Sequence, residues 1–199
     1  MTKRDQQLFW KKMDKKGLAV GQVFIFILAI LTFAVIMIFG YKMINSFLKS
    51  GEDVGYVQFK TDVESSVKRI YTEFGSVRVE TFHVPARYEQ VCFVDMNYPN
   101  IDREKENLCA WDVVACSVWE DALEARRTNP SDIEAGYNAI DTNVFLTPDG
   151  PKIKVYKITL RDEAKNPMGF LCLPIRGGSF SVRLEGKGSH TEISPAVVE

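Results

Sequence analysis

Histidine is scarce in this chain of 199 residues, with His83 and His190 as its two copies. Both stand apart from the cysteines, and six residues separate Cys109 from Cys116, so the spacing typical of a zinc site is missing. The sequence also lacks a nucleophile elbow, a P-loop, an HExxH pair and the glycine pattern of dinucleotide-binding proteins. These absences predict that the protein is no enzyme and uses no metal or cofactor.

A surplus of positive charge is also missing, because the formal net charge is -1. This balance gives no reason to expect nucleic acid as a partner. The charge is unevenly spread, since residues 1–16 hold six lysines and arginines against two aspartates. The basic N-terminus is therefore set apart from a slightly acidic remainder, in which no repeat or low-complexity segment stands out.

A long apolar run follows the basic N-terminus. From Val23 to Tyr41, 19 residues pass without a charge, and as a helix they would span about 28 Å, close to the hydrocarbon thickness of a bilayer. Inside lipid, a single segment satisfies its backbone hydrogen bonds only as a helix. The run predicts a single-pass transmembrane helix in the lipid bilayer, and the preceding basic residues predict a cytoplasmic N-terminus and an extracellular C-terminal domain.

The residues behind the run decide whether it is removed as a secretory signal. Such a signal has a shorter apolar core and a small-x-small cleavage site. The segment Tyr41–Phe47 offers no such site. Cleavage behind the run is therefore not expected, and the helix should stay on the mature protein as an anchor.

The residues in front of the run read Lys15-Lys16-Gly17-Leu18-Ala19-Val20-Gly21-Gln22. This junction resembles the class III signal peptide of prepilins, especially of archaeal pilin-like proteins. The resemblance implies that a membrane prepilin peptidase cuts after Gly17, with Gly21 as a second possible cut site. Leu18 then leads the mature chain, and Gln22 stands fifth, where bacterial pilins usually carry glutamate. A neutral glutamine cannot pair ionically with a neighbour's amine, so this departure weakens the case for filament assembly.

An uncleaved signal anchor, whose lysines only set the topology, is the alternative. Both interpretations divide the chain into a basic cytoplasmic leader (1–17), a transmembrane or pilin-like helix (18–50) and an extracytoplasmic domain (51–199). The prepilin interpretation implies self-association or contact with other pilin-like subunits, in a structural or interaction role at the cell surface. The runner-up function is a membrane-anchored binding or sensing module that does not polymerise.

An amphipathic helix is predicted from Asp53 to Phe74, after a helix-compatible stretch that ends near Gly51. Its apolar residues recur at spacings of three and four, and so share one face: Tyr56, Phe59, Val63, Val67, Ile70 and Phe74. Gly75 follows where a left-handed cap commonly ends a helix. We expect this face to pack on a sheet; self-association through it is the alternative.

Beyond Gly75 the apolar pattern changes to the period of two that is typical of strands. The predicted strands are 76–84, 88–96, 143–147, 152–160, 169–173, 179–185 and 190–194. Helices are predicted at 112–126 and 131–141, the second with Ser131 as its N-cap and Glu134 completing a capping box. The fold class is therefore α+β, with a long N-terminal helix, an amphipathic helix and a mostly antiparallel sheet.

Turns and loops separate these elements. Gly177-Gly178 and 186–188 predict hairpin turns, and 102–106 mixes charges of both signs, which predicts a solvated loop. Trp111 and Trp119 lie eight residues apart and are predicted to share one helical face in the core.

The predicted outer domain contains Phe-Gly-Ser-Val, Phe-x-Val-Pro and Val-Cys-Phe-Val, and closes on Ser-Val-Arg-Leu-Glu-Gly-Lys-Gly. In this order the segments resemble uncharacterised single-span proteins of archaeal lineages. The resemblance implies an anchored extracytoplasmic domain and no particular activity.

All four cysteines lie beyond the apolar run, where an oxidising compartment would allow two disulfides in three connectivities. Cys92 and Cys172 stand in apolar strand segments, and Cys109 is close to Cys116 in the chain. We favour pairing Cys92 with Cys172 and Cys109 with Cys116. The alternative is that some of them are free, buried cysteines.

Overall fold

A computed structural model describes residues 3–98, 102–148 and 150–196. The chain divides into two compact units, Met1–Gly51 and Glu52–Glu199. Helix α1 (Lys3–Tyr71) belongs to both. Its helical conformation continues through Gly51, where the sequence predicted an end. A single glycine costs a helix about 1 kcal/mol, which the helix-compatible residues on both sides can offset.

The second unit holds three further helices and eight strands in its described residues. In chain order these are β1 (Val77–His83), β2 (Gln90–Val94), α2 (Asp102–Trp111), α3 (Val113–Thr128), α4 (Ala135–Ala139), β3 (Val144–Thr147), β4 (Ile158–Arg161), β5 (Pro167–Met168), β6 (Phe170–Pro174), β7 (Ser179–Gly186) and β8 (Thr191–Pro195). This composition confirms the predicted α+β class.

The strands form two sheets. One has five strands in the order β1-β7-β8-β4-β5, and the other has three in the order β3-β2-β6. Every pairing is antiparallel except that of β4 with β8, which is parallel. Gly177 and Gly178 form the tight turn before β7, both with positive φ, as their sequence predicted. The mostly antiparallel arrangement is therefore confirmed.

The predicted apolar face of α1 is buried against the sheets. Phe59, Val63, Val67 and Ile70 are each at most 1% exposed, and they share one hydrophobic cluster with residues of both sheets. The prediction is wrong for Phe74, which is 83% exposed. The helix ends at Tyr71, because the chain then turns towards β1.

Three further predictions of local structure are corrected. Residues 102–106, predicted as a loop, belong to helix α2. The helix predicted at 131–141 shrinks to α4, because the Asp132 carboxylate, rather than the Ser131 hydroxyl, caps the turn before it by accepting the Glu134 N–H at 2.8 Å. The strand predicted at 152–160 begins at Ile158, since Lys157 has a φ of +24°, which a strand cannot accommodate.

Trp111 and Trp119 lie on different helices. Trp119 of α3 is completely buried, which confirms its predicted place in the core. Trp111 ends α2, is half-buried, and donates its indole N–H to Gln90 Oε1 at 2.7 Å. The prediction of one shared helical face is therefore wrong, because the chain bends between the two helices at Asp112.

Helix α3 begins with an N-cap that can be tested. The Asp112 carboxylate accepts the Ala115 N–H at 2.7 Å. We expect Asp112→Ala to lower the free energy of unfolding by about 1 kcal/mol, measured as a shifted urea midpoint. Asp121→Ala, on the exposed side of the same helix, is the matched control. Equal losses in both variants would contradict a capping role.

Candidate functional site

The most prominent feature of the first unit is the apolar part of α1. Residues Gly21–Ile44 form 24 helical residues, of which the most apolar 18 have a mean hydropathy of 3.0, and these 18 residues are not buried within the protein. Large side chains such as Phe24, Phe33 and Phe39 are between 63% and 67% exposed. A helix that is apolar on every side requires apolar surroundings. By length and composition this helix is a candidate membrane span or a signal sequence.

The predicted peptidase-recognition residues all lie on α1. Lys15, Lys16, Gly17 and Leu18 belong to its helical backbone. Gln22 follows about one helical turn later, and its side chain is exposed. The structure thus places the five residues on one continuous helix, next to the first apolar turn.

One disulfide links β2, the central strand of the three-stranded sheet, to its neighbour β6. Cys92 of β2 and Cys172 of β6 lie directly opposite each other, with their Cα atoms 4.1 Å apart. Asp95, three residues after Cys92, donates its N–H to the Gly169 oxygen. Hydrogen-bonded and non-hydrogen-bonded pairs alternate along antiparallel strands, so Cys92 and Cys172 form a non-hydrogen-bonded pair. In such pairs the side chains approach most closely, and Cys92 is completely buried.

The other disulfide joins two helices. Cys109 of α2 and Cys116 of α3 are linked across the bend at Asp112, so that all four cysteines of the chain are paired. These are the pairs favoured from the sequence. Two disulfides in one domain are typical of proteins exposed to an oxidising compartment.

A cleft of about 620 Å³, lined by apolar and polar side chains, lies within the second unit. Five separate stretches of the chain line it: Asp95, Asn97 and Tyr98; Ile133 and Glu134; Lys157–Arg161; Pro167; Ser189 and His190. Such a lining has no local sequence signature, and sequence reasoning did not find the cleft. Its volume is that of a small-molecule site.

The charges around this cleft are largely compensated within the protein. Lys157 pairs with Glu134, and Arg161 binds the buried Glu192 at 2.8 Å. Burial lowers the pKa of His190, which favours the neutral imidazole. Thr159 Oγ1 is buried without a hydrogen-bond partner among the described residues. The cleft therefore combines ion-paired charges with a buried hydroxyl group that has no partner among the described residues.

The features that could relate this chain to known proteins are therefore an exposed apolar helix, two disulfides and a pair of small sheets. None of the three specifies a reaction. No family model, curated protein or solved structure matches the chain.

Proposed function

We propose that the chain is a membrane-anchored, pilin-like surface protein with a structural or interaction role. The observation that carries this proposal is the 24-residue apolar helix Gly21–Ile44, which is exposed around its whole circumference. Its length matches a bilayer. The cationic leader supports a cytoplasmic N-terminus, and the two disulfides support an extracellular position for residues 52–199.

The anchorage is tested in intact cells that carry an N-terminal and a C-terminal epitope. We expect the protein to stay with the membranes through a carbonate wash. Protease added outside should remove the C-terminal epitope and spare the N-terminal one. A full-length chain recovered from the cytosol with reduced cysteines would overturn the proposal.

Processing of the leader is a separate prediction. In a host that contains a class III signal peptidase, mass spectrometry should find residues 1–17 missing from the wild-type protein. Gly17→Ala should keep them, because the peptidase cuts after glycine in the family that the leader resembles. Gly21→Ala is the matched control and should be processed normally.

The possible outcomes separate the two parts of the proposal. If Gly21→Ala is the variant that stays uncut, the cleavage site lies after Gly21. If the wild-type protein keeps its full N-terminus, the pilin-like interpretation fails while the membrane anchor stands.

The cleft favours a second candidate function, an anchored binding or sensing module that does not polymerise. Its support is that polar side chains from four separate stretches of the chain meet around a volume of about 620 Å³. Negative-stain microscopy of cell-surface material distinguishes the two functions. Filaments containing the chain would favour the pilin-like role, and dispersed particles would favour the binding module.

A further inference from the structure

Strand β1 is one edge of the five-stranded sheet, and half of its backbone groups have no partner among the described residues. At its two ends, the Gly186 N–H donates to the Ser76 oxygen and the Val84 N–H donates to the Gly178 oxygen. Hydrogen-bonded and non-hydrogen-bonded pairs alternate along antiparallel strands. The backbone N–H and C=O groups of the even-numbered residues of β1 therefore point towards β7. The N–H and C=O groups that point away from β7 belong to Val77, Val79, Thr81 and His83.

β1 lacks several of the devices that protect an edge strand, although it carries two charged residues, Arg78 and Glu80, on the same face as the buried Phe82. Its pairing with β7 runs through seven consecutive residues without a bulge, and its sequence contains neither proline nor lysine. Val77 and Val79 are 47% and 64% exposed. A long, regular edge with exposed apolar side chains is a template for pairing with another strand.

We propose that this edge pairs with β1 of a second copy of the chain, antiparallel, about a twofold axis through Val79. Val79 then lies opposite Val79 of the second copy, and Val77 lies opposite Thr81. The two charged residues of the strand become complementary, because Arg78 lies opposite Glu80 of the second copy. Opposite charges in directly facing positions stabilise a pair of strands.

The charges around β1 favour this register. Glu80 contacts Arg69 of α1 at 2.9 Å, and Arg78 contacts Glu73, in the turn after α1, at 3.0 Å. Pairing about Val79 joins these ion pairs into an alternating series of Arg69, Glu80, Arg78 and Glu73, the last two from the second copy. An axis through Arg78 or through Glu80 would instead place like charges opposite each other, which is destabilising.

This contact closes after two copies. The same surface is used by both partners, so no β1 edge is left for a third copy. The opposite edge of the sheet cannot substitute, because β5 is only Pro167–Met168 and proline has no N–H to donate. The axis is perpendicular to the sheet, so the buried segment of α1 (59–70) runs in opposite directions in the two copies.

Cysteine cross-linking tests the register directly. The four native cysteines are all in disulfides, so one added cysteine is the single free thiol. In full-length protein in detergent micelles, mild oxidation should cross-link Val79→Cys to itself. Val77→Cys and Thr81→Cys should each fail alone, because their like positions lie about 14 Å apart along the strands. A mixture of these two variants should cross-link.

The results that would overturn the pairing are equally specific. Val79→Cys that cross-links no better than the other two variants contradicts the axis, and a mixture that fails contradicts the register. In a detergent micelle, two copies are free to insert in the same direction or in opposite directions, so the micelle itself does not prevent the pairing. A negative result therefore leaves the proposed membrane anchorage untouched, because anchorage is measured separately in cells.

A charge substitution tests the same contact without cysteines. Val79→Lys places two ammonium groups opposite each other on the axis, and we expect the dimer to dissociate about tenfold more readily. Val57→Lys is the matched control, because Val57 is 60% exposed and belongs to α1 instead of β1. Sedimentation in micelles measures both. A wild-type monomer at all concentrations, or equal weakening by both variants, would overturn the proposal.

Discussion

The double substitution Cys92→Ala and Cys172→Ala is expected to lower the free energy of unfolding of residues 52–199 by about 4.5 kcal/mol. The disulfide closes a loop with a sequence separation of 80 residues, and its main effect is to restrict the unfolded chain. The short loop between Cys109 and Cys116, with a separation of 7, should contribute about 2.5 kcal/mol on the same basis.

Urea unfolding of the full chain in micelles, followed by tryptophan fluorescence, measures both effects. The Cys109→Ala and Cys116→Ala double variant is the matched control, because it removes a disulfide but leaves the long loop closed. Adding reductant should bring the wild-type midpoint down close to that of a variant lacking both disulfides. If the two double variants lose the same stability, loop length does not determine the stabilisation.

A second large loss is expected for Gly186→Ala, at about 3 kcal/mol or more. A Cβ atom at this position would lie 2.2 Å from the carbonyl oxygens of both Ile70 and Glu73. These oxygens belong to the last turn of α1 and to the turn that follows it, and they accept hydrogen bonds from the N–H groups of Glu73 and Ser76 at 3.0 Å. They cannot retreat without pulling the end of the helix away from β7.

Gly55→Ala is the matched control, and its expected effect has the opposite sign. Gly55 lies inside α1, and the nearest atom to an added Cβ is Pro85 Cγ at an ordinary 3.6 Å. Alanine favours the helix over glycine by about 1 kcal/mol, so the variant should be slightly more stable. A mild effect of Gly186→Ala in the same urea titration would show that the helix end can move.

The elements that the sequence predicted well are those with a strong local pattern. The face of Phe59, Val63, Val67 and Ile70 follows the helical period, and β7 alternates inward and outward residues along its whole length. The Gly-Gly turn before β7 needs the positive φ that glycine adopts readily. In each case the residues that determine the structure are neighbours in the chain.

The incorrect predictions of secondary structure lie where the structure depends on contacts between distant residues or on charged surface residues. Helix α2 begins with a mixed-charge stretch, and its buried residue Leu108 gives no period by itself. Ile153 and Val155 are both fully buried and alternate like strand residues, yet the chain between them and β4 is bent at Lys157. The parallel pairing of β4 with β8 joins segments about thirty residues apart, for which the sequence carries no signal.

The candidate sites differ in the same way. The apolar helix is visible in the sequence because nothing but a run of uncharged residues is needed to form it. The cleft depends on where five separate stretches of the chain meet, and the free edge of β1 depends on its being an outer strand. Neither property can be inferred from the residues themselves.

Strands β7 and β8 lie at the centre of the five-stranded sheet although they are the last to be synthesised. The Thr191 hydroxyl donates to the Val67 oxygen at 2.9 Å, across 124 residues of chain. Until the ribosome has delivered these strands, β1 has no strand to pair with and α1 keeps a bare apolar face. The nascent domain must therefore wait for its C-terminal end, and a chain that stalls before residue 179 is the form most in need of a chaperone.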